Sequence, residues 1–532
     1  MQRRELAIEA AIVVVGAFAA AILWTWPLVL HLDHAGRSLV DAPFEAWTID
    51  WVQYAIRHQP LHLYDANIFA PTKGTLAFSA PLIGVALPLL PLRWLGLSPY
   101  AIYNVGIIVS TACAAIGAYV FGRQVLRDRA AAALVAVAFA FSRFPYEKNQ
   151  LQITARAGIP LAAAATWWLL DRAERDERLR GPTIALLATL VWQTSVSLYP
   201  AAYALTAMVV VMVVRWRVVR RRPITLAAAA GGLVSVLVVA VPHITVALAY
   251  PEADRRVPGD YGINVFGAAF PGVALTIVAI CGIVYARRRQ TQVVVLGVVL
   301  AVVGLVMGIG TASHGWRRYA PYRVAWEIVP GIGSLRDFSR AWLLGILGLG
   351  LLGGCAIACL RAMNRRVGTI VAVAICIAIF AEGAHLWNDA TVIAPRPVDR
   401  VLAHLSTPGG VLYLPIGSPL RSEDGLAFFE QPTIVYRTTA HHRPTVNAYF
   451  AFFPAWSGQS EDLAHALPCS YTELWNKGVR FVVVARNAGS WARLRDPARA
   501  VPLRLLGSYD GDLLYALPDP AQVGVPAGCA HP

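Results

Sequence analysis

Charge is scarce in this chain. Asp, Glu, Lys and Arg make up 14% of its 532 residues, against about a quarter in an ordinary soluble protein. Lysine is scarcer still: only Lys73, Lys148 and Lys477 occur, so arginine supplies nearly all of the 46 basic residues, a bias that suits a GC-rich genome. No CxxC, HExxH or phosphate-loop pattern is present among the seven cysteines, the histidines or the glycines. The shortage of charge excludes a soluble globular protein. The missing motifs leave zinc and nucleotide sites without support. No cofactor is implied, although a divalent metal ion is compatible with the chemistry reached below.

Apolar residues are abundant, at 57% of the chain with a mean hydropathy of +0.54. Apolar runs of about 20 residues, the length that crosses a bilayer core of ~30 Å, recur almost to residue 390. The N-terminal run is too long for a secretory signal and lacks a small-residue cleavage site, so it reads as a retained first helix. The formal charge of +15 would suggest nucleic acid if the arginines shared one face. They sit instead in short gaps between apolar runs, the positive-inside pattern of a membrane protein, and nucleic acid is excluded as a partner.

Those gaps orient the chain. Arg3 and Arg4, Arg123/Arg127/Arg129, Arg172 to Arg180, Arg215 to Arg222, Arg287 to Arg289 and Arg361/Arg365/Arg366 all lie in the cytoplasm if eleven helices span the membrane. The expected spans are 7–31, 99–121, 128–144, 157–171, 182–197, 199–216, 223–247, 266–286, 291–310, 341–360 and 368–386. The N-terminus is then cytoplasmic and the C-terminus extracytoplasmic, in a bacterial inner membrane. This threading excludes APLIGVALPLLPLRWLGL (80–97) as a span. Three prolines and Arg93 suit an in-plane or re-entrant segment better. The predicted organisation is a transmembrane domain over 1–389 with a long first outer loop (32–98), an extracytoplasmic α/β domain over 390–520 and a loose tail over 521–532. In that domain VLYLP (411–415), TIVYRT (433–438), FVVVA (481–485) and LLYAL (513–517) read as strands, and PVDRVLAHL and SYTELWNKGV as helices. Cys469 and Cys529 both fall outside the membrane. A disulfide fits an oxidising compartment, and two unpaired thiols are the alternative.

Two outer segments carry candidate chemistry. In SLVDAPFEAWTIDWVQYAIRH (38–58), Phe44, Trp47, Trp51 and Ala55 share one side of an amphipathic helix lying in the headgroup plane, with Glu45, Gln53 and Arg57 elsewhere around it. Asp41 at its start reads either as a helix cap or as a carboxylate facing a lipid-linked headgroup. In PYRVAWEIVPGIGSLRDFSRAWLLG (321–345), Arg336 and Arg340 stand four residues apart. They are either snorkelling anchors or a clamp for a phosphate, the anion arginine suits best. Lys148, Arg156, Arg317, Arg318 and Arg323 join them as outer cations. In the outer domain, His441 and His442 read either as incidental residues of a surface turn or as acceptor contacts.

The chain resembles the GT-C class of polytopic membrane glycosyltransferases, in a bacterial branch that is YfhO-like and mannosyltransferase-like. The likeness runs through DAPFEAWTIDW (41–51), LYDANIFAPTKGTLAFSAPLIG (63–84), SPYAIYN (98–104), VPGIGSLRDFSR (329–340), HHRPTVNAYFAF (441–452) and GVRFVVVA (478–485). It implies sugar transfer from a polyprenyl-phosphate donor to a glycan or lipid acceptor of the cell envelope. Asp41 matches the place of the class's catalytic acid, with Asp50 as second candidate, and the donor phosphate falls to Arg336, Arg340 and Lys148. No adjacent acid pair follows the first span and no WWD-type motif stands in the outer domain, which argues against the protein-mannosyltransferase and oligosaccharyltransferase subclasses. The competing classes are a lipid or glycan transporter and an inactive scaffold of envelope assembly.

Overall fold

The computed structural model describes residues 2–33, 41–144, 150–250, 269–310, 320, 323–324, 337–384, 394–417, 425–449, 454–523 and 529. The chain divides into two compact units. The first holds Met1–Leu32, Asn104–Val241 and Arg256–Asn388, and the second holds Asp33–Tyr103, Pro242–Arg255 and Asp389–Pro532.

The first unit is helical. A helix lies over each of the eleven expected segments, and six helices among the described residues are long and apolar enough to cross a membrane. Trp342–Met363 is the central one, with 83% of its apolar window buried, whereas Arg4–Trp24 has 11% buried and shows its apolar surface outward. The central helix packs on Val273–Ala286, Thr291–Gly308 and Arg129–Phe141. Close approach is possible because glycines face one another. A β-carbon on Gly348 would stand 2.7 Å from the Ala301 nitrogen and closer still to the Gly297 carbonyl. With little hydrophobic drive between helices in lipid, such small-residue contacts supply the van der Waals packing. Asp128 caps Arg129–Phe141 by accepting from the Ala131 amide at 2.9 Å.

The second unit joins residues 33–103 to the C-terminal segment. Its sheet has the order β1-β2-β4-β3, where β1 is Gly410–Leu414, β2 Val479–Val484, β3 Arg504–Tyr509 and β4 Asp512–Ala516. β1 pairs with β2 in parallel, and the other pairings are antiparallel. Leu412, Leu414, Val482, Val484 and Tyr515 enter one core, and Val411, Tyr413, Phe481, Val483 and Leu514 enter the other. Burial on both faces explains why these strands read as unbroken apolar runs. TIVYRT, expected as a strand, ends the helix Gly425–Arg437 instead. Burial of Val435 and Tyr436, and the reach of Arg437 to buried Asp399 and Asp512, override its β-branched preference.

The segment 41–98 is woven into this unit through Asn67. Its side chain accepts from Trp47 Nε1 at 3.1 Å and donates to Thr438 Oγ1 and the Arg443 carbonyl, each at 3.2 Å. Its own carbonyl accepts from the Thr445 amide at 2.7 Å. Residues 80–97 form two short helices, Ile83–Ala86 and Leu90–Trp94, and neither is long enough to cross a membrane. The helix Asp41–His58 differs from the expected in-plane amphipath. Glu45, Asp50 and Gln53 are as buried as its tryptophans, because the helix Gly425–Arg437 and its own loop cover the polar side.

Candidate functional site

The candidate residues fall into two clusters, one in each unit. In the second unit, Asp41 is the first residue of the helix Asp41–His58, where a carboxylate interacts favourably with the helix dipole. It is half-buried, and its Oδ1 accepts from Tyr449 OH at 3.3 Å. Phe44 stacks on Trp47 with ring centroids 5.4 Å apart and meets Tyr449 edge-on at 5.6 Å. The carboxylate is thus set in an aromatic frame while part of it stays accessible.

Asp50 has a different environment. Its side chain is 3% exposed, with Oδ2 2.7 Å from His442 Nε2 and Oδ1 3.2 Å from Arg93 Nη2. Both oxygens are committed to internal partners. His442 lies flat on Tyr54, centroids 3.9 Å apart and planes within 4°. His441 points into the unit. Tyr413 OH donates to Asp399 Oδ1 at 2.9 Å, so the 2.8 Å contact between that hydroxyl and His441 Nε2 requires Nε2 to carry the proton. Nδ1 then accepts from the Arg443 amide at 3.0 Å. Burial, followed by the neighbouring His442, Arg443 and Arg437, pushes the imidazole down to about 3, so it is neutral at any ordinary pH. Both ring nitrogens of His441 are satisfied within the fold, and both histidines are half-buried.

In the first unit, Arg340 belongs to the 3-10 turn Phe338–Ala341, started by Asp337, which accepts from Ser339 N at 3.1 Å. Arg340 Nη2 donates to Gln150 Oε1 at 2.7 Å, Nε pairs with Asp337 Oδ2 at 3.2 Å, and the guanidinium sits 4.8 Å over the Tyr199 ring. Tyr199 OH in turn accepts from the Asp337 amide at 3.4 Å. Among the described residues, Gln150, Asp337 and Tyr199 fix the plane of the guanidinium, which stays 13% exposed. Arg336 and Lys148 lie outside the described residues, as do Arg317 and Arg318. Arg156, expected among the outer cations, is buried and donates to the Phe139 carbonyl at 3.1 Å.

Tyr199 and Gln150 are not legible in the sequence as partners of Arg340. The only signal was an aromatic beside proline at an outer turn, SVSLYPAAY, and nothing local linked it to residue 340. Cys469 and Cys529 are joined in a disulfide, with Cα atoms 5.4 Å apart. Among the described residues, no three His, Cys, Asp or Glu side chains are grouped to hold a metal ion.

No family model matches the chain, and no curated protein does. Solved structures share its fold. The mycobacterial arabinofuranosyltransferase AftD superposes with a TM-score of 0.54 at 15% identity, over 98% of this chain. The chain spans 42% of that protein's length. ArnT from Cupriavidus metallidurans, in the apo state, superposes with a TM-score of 0.50 at 13% identity, covering 96% of this chain and 98% of ArnT. The fold is therefore that of the GT-C membrane glycosyltransferases, with a small C-terminal sheet domain.

Proposed function

We propose that the protein is a bacterial inner-membrane glycosyltransferase that moves a sugar from a polyprenyl-phosphate donor to a glycan or lipid acceptor outside the cytoplasm. The carrying observation is the half-buried carboxylate of Asp41, at the first helix of the first outer loop, in a chain with the fold of an arabinofuranosyltransferase. A polyprenyl-phosphate sugar already has a good leaving group. The remaining work is to deprotonate the attacking hydroxyl and to stabilise charge on the departing phosphate. Asp41 acts as general base, a role worth about 10²–10⁴ in rate. Arg340, with Arg336 and Lys148, holds the phosphate, and a guanidinium already fixed by Gln150, Asp337 and Tyr199 needs little reorganisation. Asp50 positions His442, which contacts the acceptor.

The test begins with mass spectrometry of lipids retained by the gently purified protein. A polyprenyl-phosphate sugar is expected on the wild type and lost in Arg336→Ala/Arg340→Ala. With that donor identified, Asp41→Asn retains it but transfers its sugar at least about a hundredfold more slowly. Bulk phospholipid alone on both proteins would sink the reading and favour a transporter or a scaffold.

A further inference from the structure

At the arginine-rich end of the first unit, an open cleft of about 490 Å³ lies between the helices Pro99–Leu126 and Gly158–Glu174. Val120, Arg123, Arg127, Trp168, Arg172 and Arg175 line it, together with the acids Asp171 and Glu177. The charges are unevenly matched. Asp171 is paired with Arg215, Glu177 with Arg172 at 3.4 Å, and Arg123 with Glu9 at 2.8 Å. Arg127 and Arg175 are exposed, and their guanidiniums have no ion pair or hydrogen bond among the described residues. The cleft therefore presents two unneutralised guanidiniums. Trp168, half-buried with Arg172 stacked 5.5 Å over it, sits where an indole meets headgroups, and Val120 is 41% exposed beside it.

We infer that this cleft binds an anionic phospholipid with two phosphodiesters, of the cardiolipin class. One phosphate faces Arg127 and the other Arg175, and the acyl chains run down the apolar surface that begins at Val120. Guanidinium suits phosphate in charge and in forked geometry. Basic pockets between transmembrane helices on the cytoplasmic side are suited to such headgroups. A soluble anion would gain the same two charges but none of the apolar surface. The inference concerns the opposite end of these helices from the sugar-transfer proposal's outer arginines and does not depend on it.

The experiment is native mass spectrometry of the delipidated full-length protein in detergent, titrated with cardiolipin or with phosphatidylcholine. The wild type is expected to bind one cardiolipin in preference to phosphatidylcholine. Arg127→Gln/Arg175→Gln should bind it about thirtyfold more weakly, and Arg175→Gln alone about fivefold, from roughly 1 kcal/mol per arginine. Arg287→Gln/Arg288→Gln, which removes two arginines outside the cleft, should leave the affinity unchanged. Both cleft side chains are exposed and unpaired, so the double variant should keep the wild-type melting temperature without lipid. Equal affinity in the double variant, or an equal loss in the control variant, overturns the inference. Displacement of the lipid by millimolar inorganic pyrophosphate would also overturn it, and would assign the cleft to a soluble anion.

Discussion

His441 and His442 are neighbours in sequence with different partners, a phenol and a backbone amide for the first and a carboxylate for the second. His441 is neutral inside the second unit, and its Nδ1 faces an amide N–H, so protonation would place two donors against each other. Its folded pKa of about 3 lies below the ordinary 6.5. Between those values the unfolded chain binds the proton and the folded chain does not. The associated stability is complete above about pH 6.5 and is lost as pH falls towards 3. Thermal melts of the full-length protein between pH 7.5 and 4.5 should show this loss. His441→Gln should melt lower at pH 7.5 and respond less to acid. Asp50 makes a second prediction. Asp50→Ala removes the partner of His442 and Arg93, and should destabilise the protein by roughly 2 kcal/mol, moderated by the partial exposure of Arg93. Asp41→Ala should lower the melting temperature less than Asp50→Ala does, because the Asp41 carboxylate is half-buried whereas that of Asp50 is 3% exposed. A reversed order would assign Asp41 the structural role and Asp50 the accessible one.

Among the elements, the helix Trp342–Met363 shows why composition alone misleads. GILGLGLLGG would be a poor helix in water, since each glycine costs up to about 1 kcal/mol relative to alanine. Here the glycines admit the backbones of Val273–Ala286 and Thr291–Gly308. A β-carbon on Gly282 would collide with the Leu352 carbonyl, and one on Gly348 with Gly297 and Ala301. Gly348→Ala should therefore lower stability by roughly 1–3 kcal/mol in spite of its better helix propensity, measured as a lower melting temperature in detergent. An unchanged or higher value would show that these helices do not pack through their glycines. The helix Gly425–Arg437 is the complementary case. TIVYRT looks like a strand, yet its residues are needed where a helix presents Arg437 to Asp399 at 2.8 Å.

Across the whole molecule, the second unit is assembled from segments more than 300 positions apart. Asn67 exchanges hydrogen bonds with Thr438, Arg443 and Thr445, and Trp456 Nε1 donates to the Ala70 carbonyl at 2.7 Å. The segment 41–98 thus completes its hydrogen bonding with C-terminal residues, and Glu45, Asp50 and Gln53 stay buried within that shared fold. Deleting residues 390–532 should leave residues 41–98 open to proteolysis while the helices of the first unit still insert. Limited proteolysis of the truncated and intact proteins, followed by mass spectrometry of the fragments, checks this. Equal protection of the loop in both would mean that it folds by itself.

The sequence by itself determined the membrane character, the placement of the eleven helical segments, the absence of a long helix over 80–97 and three of the four strands. Each rests on local quantities, namely run length, arginine gaps and the spacing of apolar residues. It also drew attention to Asp41, Asp50, Arg340 and the histidine pair, because charge stands out in an apolar chain. Tertiary structure alone decided what those residues touch. Asp50 meets His442, 392 positions away, Arg340 meets Gln150, 190 positions away, and His441 meets the Tyr413 hydroxyl. Partners so distant leave no trace in periodicity or spacing. A buried polar group is satisfied by whatever the fold brings to it, and only the folded chain names that partner.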